Sequence, residues 1–316
     1  MRPNLAPLHL ASLLACAEEK PTESAAPQPA LLDEYLLADD AWPESVAFDP
    51  NSRAFFTTSL ERGDLSRTTA AGNTTVFFAP EDGDAWSTIG LEVDAARRRL
   101  WACASTFDGS AQAELWVVDL DTAERIDVAD LAAVRAGASC TDVQIDAEGI
   151  ALVTDRANPV IYEVDLDGGT AEVWLEDPAL EPGFVGLNGV VFTPGGDVLV
   201  SKYLPIEILR IPRADPTLVA ALPLSGDTLA ATSGLSGADD LVFSGEVLYI
   251  SLVDRLFSAT SADGWQSGVV TDEGYETAGM TGLTVAEDGL FGSNGQAVEF
   301  SLGTTPDTPF WIRKLR

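Results

Sequence analysis

A short pattern of alternating apolar and polar positions recurs along the chain. It consists of a small or polar residue, an apolar residue, any residue, an apolar residue, and then Asp or a small residue, which suits a short strand that runs into a turn. Copies occupy residues 45–49, 90–94, 142–146, 189–193, 240–244 and 282–286. The steps between their last residues are 45, 52, 47, 51 and 42 residues. A repeat of about 40–50 residues is typical of β-propellers.

Further apolar segments follow each copy. A second strand is predicted after a turn in every unit, at residues 53–59, 100–105, 150–155, 198–203, 247–253 and 290–293. Third strands are predicted at 114–120 and 160–166, for example, and fourth strands at 74–78 and 170–175. The segment 122–136 could be a helix or equally a strand and a loop.

Six four-stranded units predict an all-β fold, the six-bladed β-propeller. A long β-sandwich or a β-helix fits the spacing less well. A propeller ring must be closed by a last strand. Either residues 35–39 or residues 310–314 could supply it.

The N-terminus has the features of a processing segment. Arg2 precedes a run of mainly Leu, Ala and Ser at residues 5–15, too short to span a bilayer but long enough for the core of a signal peptide. The run ends in Leu-Leu-Ala-Cys at Cys16, which resembles the bacterial lipobox; an ordinary secretory signal is the alternative. We expect a lipoprotein signal peptide at 1–16, a flexible tether at 17–30 and a single propeller domain at 31–316.

This reading predicts an exported protein. The Ala17 that follows Cys16 resembles lipoproteins sent to the outer membrane, so we expect a lipid anchor in the bacterial cell envelope that leaves the propeller facing the periplasm. Export would place Cys103 and Cys140 in an oxidising compartment, where they could form a disulfide or remain as buried thiols.

Composition excludes several functions. The chain has 18 Lys and Arg against 50 Asp and Glu, a formal net charge of −32, which repels phosphate backbones and makes nucleic acid an unsuitable partner. Its single histidine, His9, lies in the segment expected to be removed. Catalytic triads built on His and zinc sites with His ligands are therefore excluded for the mature chain.

The repeat also predicts a site. The first strand of each blade lines the central channel, so the residues directly before the six copies should form a ring. These ring residues are Glu44, Ile89, Thr141, Asn188, Asp239 and Thr281. Three of them, Glu44, Asn188 and Asp239, offer carboxylate or amide oxygens of the kind that hard cations prefer. Two carboxylates at one mouth would repel each other unless a cation lay between them. The irregular donor set suits Ca²⁺ better than Mg²⁺; a solvated polar ring is the alternative.

Loops after the second strands should border the same mouth. They nominate substrate contacts at Glu61, Phe107, Arg156, Tyr203, Arg255 and Asn294. Because cations are scarce in this chain, Arg156 and Arg255 are notable: either could hold a carboxylate or phosphate of a substrate, or form a surface ion pair.

Three segments carry a family resemblance. Residues 42–49, 187–196 and 238–242 resemble the metal-binding segments of the gluconolactonase and senescence-marker-protein (regucalcin-like) family of six-bladed propellers, and the resemblance covers residues 31–302. In that family a Glu, an Asn and an Asp bind a divalent cation that polarises a lactone carbonyl, while the Asp assists the attacking water. The resemblance implies Glu44 and Asn188 as metal ligands and Asp239 as a ligand and general base.

The sequence departs from the family pattern at two places. Thr141 precedes Asp142 where the family has Asn before the Asp, and we expect both residues to contact substrate. Asp240 stands where a Gly follows the metal-binding Asp, which adds a carboxylate near the mouth.

The sequence therefore predicts an envelope-anchored, monomeric, metal-dependent hydrolase of the lactonase or esterase type, with a small lactone or ester as substrate. The alternative is a non-catalytic propeller lipoprotein that binds a ligand or a protein partner, with a structural ion or none.

Overall fold

Six sheets, each of four or five strands, follow one another along the chain. The computed structural model describes residues 29–80, 86–106, 112–230, 234–276, 279–287 and 289–316. The innermost strand of every sheet contacts the innermost strands of both neighbouring sheets, and these contacts form a closed circle. The predicted six-bladed β-propeller is confirmed.

The strands and helices are numbered along the chain. Strand β1 (Glu34–Leu36) precedes blade one, which contains β2 (Val46–Asp49), β3 (Ala54–Thr57), β4 (Leu65–Thr69) and β5 (Thr74–Phe78). Blade two contains β6 (Trp86–Asp94), β7 (Arg99–Thr106), β8 (Ala113–Asp119) and β9 (Arg125–Asp130), followed by helix α1 (Leu131–Val134). Blade three contains β10 (Val143–Ile145), β11 (Ala151–Thr154), β12 (Val160–Asp165) and β13 (Thr170–Glu176).

Blade four contains β14 (Val185–Phe192), β15 (Val198–Leu204), β16 (Glu207–Ile211) and β17 (Ala220–Ala221). Blade five contains β18 (Leu224–Gly226), β19 (Ala238–Ser244), β20 (Val247–Leu252), β21 (Arg255–Thr260) and β22 (Gly268–Glu276). Blade six contains β23 (Met280–Ala286), β24 (Gly289–Asn294) and β25 (Trp311–Lys314), with helix α2 (Ala297–Leu302) between the last two. Short 3₁₀ turns cover Pro178–Leu180 and Pro216–Leu218.

The ambiguous segment 122–136 contains both kinds of structure. It forms the outer strand β9 and then the single-turn helix α1, whose first turn is capped by the carboxylate of Asp130, which accepts from Ala133 N–H. Blade five departs from the four-stranded pattern because β18 adds to its outer edge in parallel with β22.

Both chain ends close the ring. Strand β25 pairs with β24 as the third strand of blade six, and β1 pairs with β25 as the fourth, with Tyr35 opposite Ile312. The two segments that the sequence offered as alternatives therefore contribute together. Joining the ends in one sheet leaves no open gap between the first and the last blade.

The core lies between the blades. Strands β3 and β11 are buried on both faces, whereas the outer strand β5 is mostly exposed. The aromatic ring of Phe55 illustrates the packing. Its centroid lies 4.9–5.3 Å from the ring centroids of Tyr35, Phe48 and Phe291. A single blade cannot bury both faces alone, so each is stabilised by its neighbours.

A disulfide joins blades two and three. Cys103 on β7 and Cys140, just before β10, are fully buried, and their Cα atoms are 5.0 Å apart. The predicted lipidation site Cys16 and the predicted substrate contact Phe107 lie outside the described residues. Within the described part of the chain, we find no helix with the length and apolar character needed to cross a membrane.

Candidate functional site

The ring residues meet at one level of the central channel. A narrow cavity there is lined by Glu44, Thr141, Asn188, Asp239 and Thr281, together with Asp142 and Asp240. The sixth ring residue, Ile89, lines a wider cavity of about 640 Å³ that opens directly above it. We call this wider cavity the cleft. Glu44, Thr141, Asn188 and Asp239 line both cavities, so they form the floor of the cleft.

Strand pairing is interrupted at this level. In four blades the pairing of the first strand with the second strand shifts register at the ring residue. Examples are the shift between Thr88 and Leu91 in β6 and the shift between Ala238 and Leu241 in β19. In blades one and three the first strand begins only after the ring position. A bulge re-aims a side chain away from strict alternation. Consecutive residues can therefore both reach the channel, in different directions.

Asp239 and Asp240 show the effect of this interruption. Asp239 lines the cleft, whereas Asp240 lines a second cavity of about 380 Å³ on the other side of the ring level. Thr141 and Asp142 divide in the same way. We call the second cavity the far cavity. Asp239, which the repeat places in the ring, is thus the residue of this pair that faces the cleft.

Hydroxyl groups on the second strands hold the ring backbone in place. In blades three to six, a fully buried Ser or Thr on the second strand donates to the carbonyl oxygen of the next blade's ring residue. The bonds are Thr154 to Asn188 at 2.7 Å, Ser201 to Asp239 at 3.4 Å, Ser251 to Thr281 at 3.0 Å and Ser293 to Glu44 at 3.5 Å. We did not infer these residues from the sequence, although a recurring Ser or Thr at one second-strand position was a usable signal.

Blade two has Cys103 at this position. In β7, Cys103 directly follows Ala102, which pairs with Leu91. In β15, Ser201 directly follows Val200, which pairs with Val190. Cys103 and Ser201 therefore occupy equivalent positions in their blades. Its disulfide reaches Cys140, the residue before ring residue Thr141. The covalent bond thus joins blade two to the ring segment of blade three, where blades three to six use a hydroxyl.

Asp239 and Asn188 are hydrogen-bonded at the floor. The Nδ2 of Asn188 donates to Oδ1 of Asp239 at 2.5 Å, and Asp239 is only 4% exposed. Its other oxygen, Oδ2, is buried without a hydrogen-bond partner among the described residues. A buried carboxylate oxygen in this position is strongly destabilised unless it gains a proton or a cation.

The carboxyl groups of the floor are held against ionisation. Burial, and then the charge of Asp240, raise the pKa of Asp239 well above its usual value, and the Asn188 hydrogen bond only partly opposes this. Burial also raises the pKa of Glu44, followed by repulsion from Asp239 and Asp142, while Arg156 acts in the opposite direction. Such a cluster has a high affinity for positive charge.

These residues fit a hard divalent cation with an incomplete protein shell. In the described part of the chain, no three Asp, Glu, Cys or His side chains are close enough to enclose an ion by themselves. Glu44 and Asp239 would supply carboxylate oxygens and Asn188 an amide oxygen, all facing one narrow cavity. Ca²⁺ accepts such mixed oxygen sets and completes its shell with water or substrate.

The cleft above the floor is mainly apolar. Among the described residues that line it, Arg156 is the one cation. Burial lowers the pKa of Arg156 to about 10, while the charges of Glu44 and Asp155 oppose this shift. Its backbone N–H donates to Oγ1 of Thr141 at 3.1 Å, so Thr141 helps to position the segment that carries Arg156.

Tyr203, a predicted substrate contact, also lines the cleft. Its hydroxyl donates to the carbonyl oxygen of Leu235 at 3.0 Å and so supports the loop before β19. Burial, and then the charge of Asp239, raise the pKa of this phenol. Tyr203 therefore acts as a neutral group of the cleft wall.

Four other predicted substrate contacts are placed elsewhere. Asp142 accepts from Val190 N–H at 2.9 Å and joins blades three and four on the far side of the ring. Arg255 forms an ion pair with Asp272 of its own blade, which corresponds to the ion-pair alternative. Asn294 is buried at the end of β24 and is not among the residues that line the cleft. Glu61 is exposed and is likewise not part of the cleft lining.

The far cavity has a different electrostatic character. Burial, followed by the charge of Asp142, raises the pKa of Glu92 to about 8, although Gln144 donates to Glu92 Oε1 at 3.0 Å. Burial raises the pKa of Asp142 to about 7. Asp240 accepts from Leu241 and Leu283 N–H, both at 2.6 Å, so its two oxygens are occupied by backbone donors.

Comparison with known proteins identifies the architecture. No protein-family model and no curated protein matches the chain. Among solved structures, the major Malassezia sympodialis allergen Mala s 1 superposes with a TM-score of 0.71 at 18% identity, covering 90% of this chain and 96% of the allergen. The gluconolactonase XC5397 from Xanthomonas campestris superposes with a TM-score of 0.62 at 18% identity, covering 88% of each chain.

The chain therefore has a six-bladed propeller fold similar to that of the gluconolactonase XC5397. The PQQ-bound aldose sugar dehydrogenase from Streptomyces coelicolor has a similar TM-score of 0.62 at 10% identity, covering 89% of this chain and 97% of the dehydrogenase. Identities this low speak for the fold alone, and this fold is shared by proteins with different activities. The chemistry of this propeller must therefore be argued from its own site.

Proposed function

We propose that this propeller hydrolyses lactones or esters at the floor of its cleft, with a divalent cation held by Glu44, Asn188 and Asp239. The observation that carries the proposal is the buried Oδ2 of Asp239, without a hydrogen-bond partner among the described residues, beside Glu44 and Asn188 at the bottom of an open cleft. When bound, the cation would polarise the substrate carbonyl and make water more acidic. We expect this ion to be Ca²⁺.

The side chains of the floor have separate tasks in this reaction. The bound cation would keep Asp239 ionised, while Asn188 fixes its Oδ1 and leaves Oδ2 to accept a proton from the attacking water. The water oxygen bonds to the carbonyl carbon, the acyl C–O bond breaks, and the leaving alkoxide receives the proton. A carboxylate base suits this chain because its one histidine lies at position 9. Arg156 borders the same space and can stabilise developing negative charge.

We further propose that the propeller is exported and anchored through lipidated Cys16, with residues 17–30 as a tether. The Cys103–Cys140 disulfide supports this location because such bonds persist in oxidising compartments. Growth with labelled palmitate should label the full chain but not a Cys16→Ser variant. Equal labelling of both would contradict the anchor.

The catalytic proposal is tested by a pair of carboxylate-to-amide substitutions. Asp239→Asn should lower kcat/KM on a panel of lactones by about 10²–10⁴-fold, because the proton acceptor is lost. Glu61→Gln is the control: this carboxylate is exposed and lines neither the narrow cavity nor the cleft, so activity should stay within a few fold. Activity that survives Asp239→Asn would rule out the proposed chemistry.

Thermal unfolding tests the cation separately. Ca²⁺ should raise the Tm of the chelator-treated protein by an amount that grows with its concentration, since binding to the native state stabilises it. Glu44→Gln should weaken this response. If calcium raises the Tm but no lactone or ester is turned over, the chain is a binding propeller with a structural ion. If neither Tm nor activity responds to chelator, the cation has no part in the function.

A further inference from the structure

The cleft separates polar from apolar surface. Its charged and amide groups are concentrated at the floor, at Glu44, Asn188 and Asp239, with Arg156 interacting electrostatically with Glu44, whereas most of its walls are aliphatic or aromatic. A volume of about 640 Å³ is in the range of cavities that hold a small organic ligand. The arrangement suits a ligand with one polar reacting group and an apolar remainder.

Two polar side chains of the walls, Tyr203 and Ser301, already donate their hydroxyl groups to backbone carbonyls. Tyr203 donates its hydroxyl to Leu235, and Ser301 donates to the carbonyl of Ala297 within α2 at 2.7 Å. A ligand that carries many hydroxyl groups would find few partners on these walls, and each unpaired buried hydroxyl weakens binding. Sugar lactones therefore suit this cleft poorly.

The rim of the cleft carries exposed apolar side chains from three blades. Phe184 before β14 is 77% exposed, Leu302 at the end of α2 is 64% exposed, and Leu235 before β19 is 42% exposed, and all three line the cleft. Large apolar side chains exposed around one opening mark a binding site more often than chance exposure. In a chain with a net charge of −32, this patch is distinct from the acidic surface.

The apolar wall formed by α2 is anchored to the propeller. Phe300 packs edge-on against Trp42, with ring centroids 5.3 Å apart, and Trp42 packs in turn on Phe310. Gln296, just before the helix, is buried; it donates to Thr308 O at 2.9 Å and accepts from Asp307 N–H at 2.7 Å. The wall is thus built before any ligand enters, which reduces the entropy lost on binding.

We infer that the substrate is a lactone or ester with an apolar alkyl or aryl substituent, which lies along the α2 wall while its carbonyl reaches the floor. This inference rests on the proposed function. It assigns the rim residues Phe184, Leu235 and Leu302 as the determinants of substrate preference. None of them was a candidate from sequence, since an apolar residue in a loop has no repeat signature.

A homologous series of γ-alkyl lactones tests the inference, with side chains from none to eight carbons and gluconolactone for comparison. The value of kcat/KM should rise about threefold for each added methylene until the cleft is filled. Gluconolactone should be at least 10²-fold poorer than the best alkyl lactone. The double variant Phe184→Ser/Leu302→Ser should flatten the dependence on chain length.

Leu218→Ser is the matched control for the rim variant. Leu218 is also exposed, but it lies in the 3₁₀ turn between β16 and β17 and does not line the cleft. This variant should keep the full dependence on chain length. Because all substituted side chains are exposed, folding should be unaffected, and a circular dichroism melt checks this.

Calorimetric titration of the same lactones separates this inference from the proposed hydrolysis. One outcome is that no lactone is hydrolysed, while affinity rises with chain length in the wild type and not in the rim variant. That result would support the apolar binding site and contradict the proposed hydrolysis. If gluconolactone is the best substrate, or chain length changes neither affinity nor kcat/KM, the inference is overturned. Hydrolysis without dependence on chain length would support the proposed function and contradict this inference.

Discussion

The two ends of the central channel are built from the same first strands and both carry buried carboxyl groups, yet they differ in how those groups are satisfied. At the far cavity, Asp142 and Asp240 accept backbone N–H groups of the next first strand along the chain. At the cleft, Asp239 has one oxygen bonded to Asn188 and the other without a partner among the described residues. The far end uses its carboxylates to join blades, and the cleft end leaves one available for chemistry.

The difference arises between consecutive residues. Thr141 and Asp142, like Asp239 and Asp240, diverge because strand pairing is interrupted at the ring level. Each of these aspartates lies against a glycine of the preceding blade: Gly90 of blade two lies against Asp142, and Gly189 of blade four lies against Asp240. A Cβ at Gly90 would lie 2.5 Å from Asp142 Cα, so the small residue admits the neighbouring backbone.

Removal of the disulfide should have the largest effect on the cleft end, on both stability and activity. Replacing both cysteines by Ala should lower the free energy of unfolding by about 2–4 kcal/mol, since the unfolded chain is no longer constrained. It should also lower kcat/KM, because Cys140 precedes Thr141 of the floor. Denaturant unfolding and initial rates measure the two effects.

A matched variant sharpens this test. Cys103→Ser with Cys140→Ala places a hydroxyl where blades three to six have one. It should recover about 0.5–1.5 kcal/mol over the double Ala variant, the usual contribution of one hydrogen bond. Equal stability of the two variants would refute the equivalence of the disulfide and the hydroxyl bonds.

Gly90→Ala should disturb both ends of the channel at once. The added methyl would lie 2.5 Å from Asp142 Cα and 2.6 Å from Thr141 O, and these backbone atoms must shift. Overpacking of this kind destabilises by about 1–3 kcal/mol. Gly195→Ala is the control, because its Cβ would meet only Thr193 Oγ1 at 3.8 Å. Urea midpoints that fall equally for both variants would show that the close approach at Gly90 is unimportant.

The effect of Glu92 is confined to the far cavity and to pH values above its ordinary pKa. Its folded-state pKa of about 8 exceeds its ordinary value of 4.5, so the folded state keeps a proton that the unfolded state releases between these values. Stability from this group is therefore lost as pH rises through that window. Glu92→Gln should raise the Tm by a few degrees at pH 9 and leave it unchanged at pH 4.

Activity provides the internal control for Glu92→Gln. Glu92 lines the far cavity and not the cleft, so kcat/KM at a fixed pH should stay within about twofold of the wild type. Asp142 titrates with the same sign, so part of the pH dependence of stability should remain in the variant. A variant with the wild-type Tm at every pH would contradict a buried, protonated Glu92.

The sequence alone identified the repeat, and the repeat identified the ring. Short strands at a constant spacing are local patterns, and equivalent positions in a closed ring must meet at one level, so the placement of Glu44, Asn188 and Asp239 together followed from the register. Second-strand loops were less informative. Arg156 and Tyr203 line the cleft, but Arg255 and Asn294 do not, because Arg255 begins strand β21 and Asn294 ends strand β24 instead of lying in a loop.

Only the tertiary structure decided the remaining features. Interrupted pairing places Asp240 at the far cavity, and not near the mouth as the sequence predicted, because no alternation rule predicts a bulge from sequence. Closure needed both β1 and β25, because the two chain ends meet only when the ring is complete. The apolar rim likewise comes from loops of three blades that are distant in sequence. Local periodicity determines which strands form and which residues share a level, whereas contacts between blades determine what each side chain can do there.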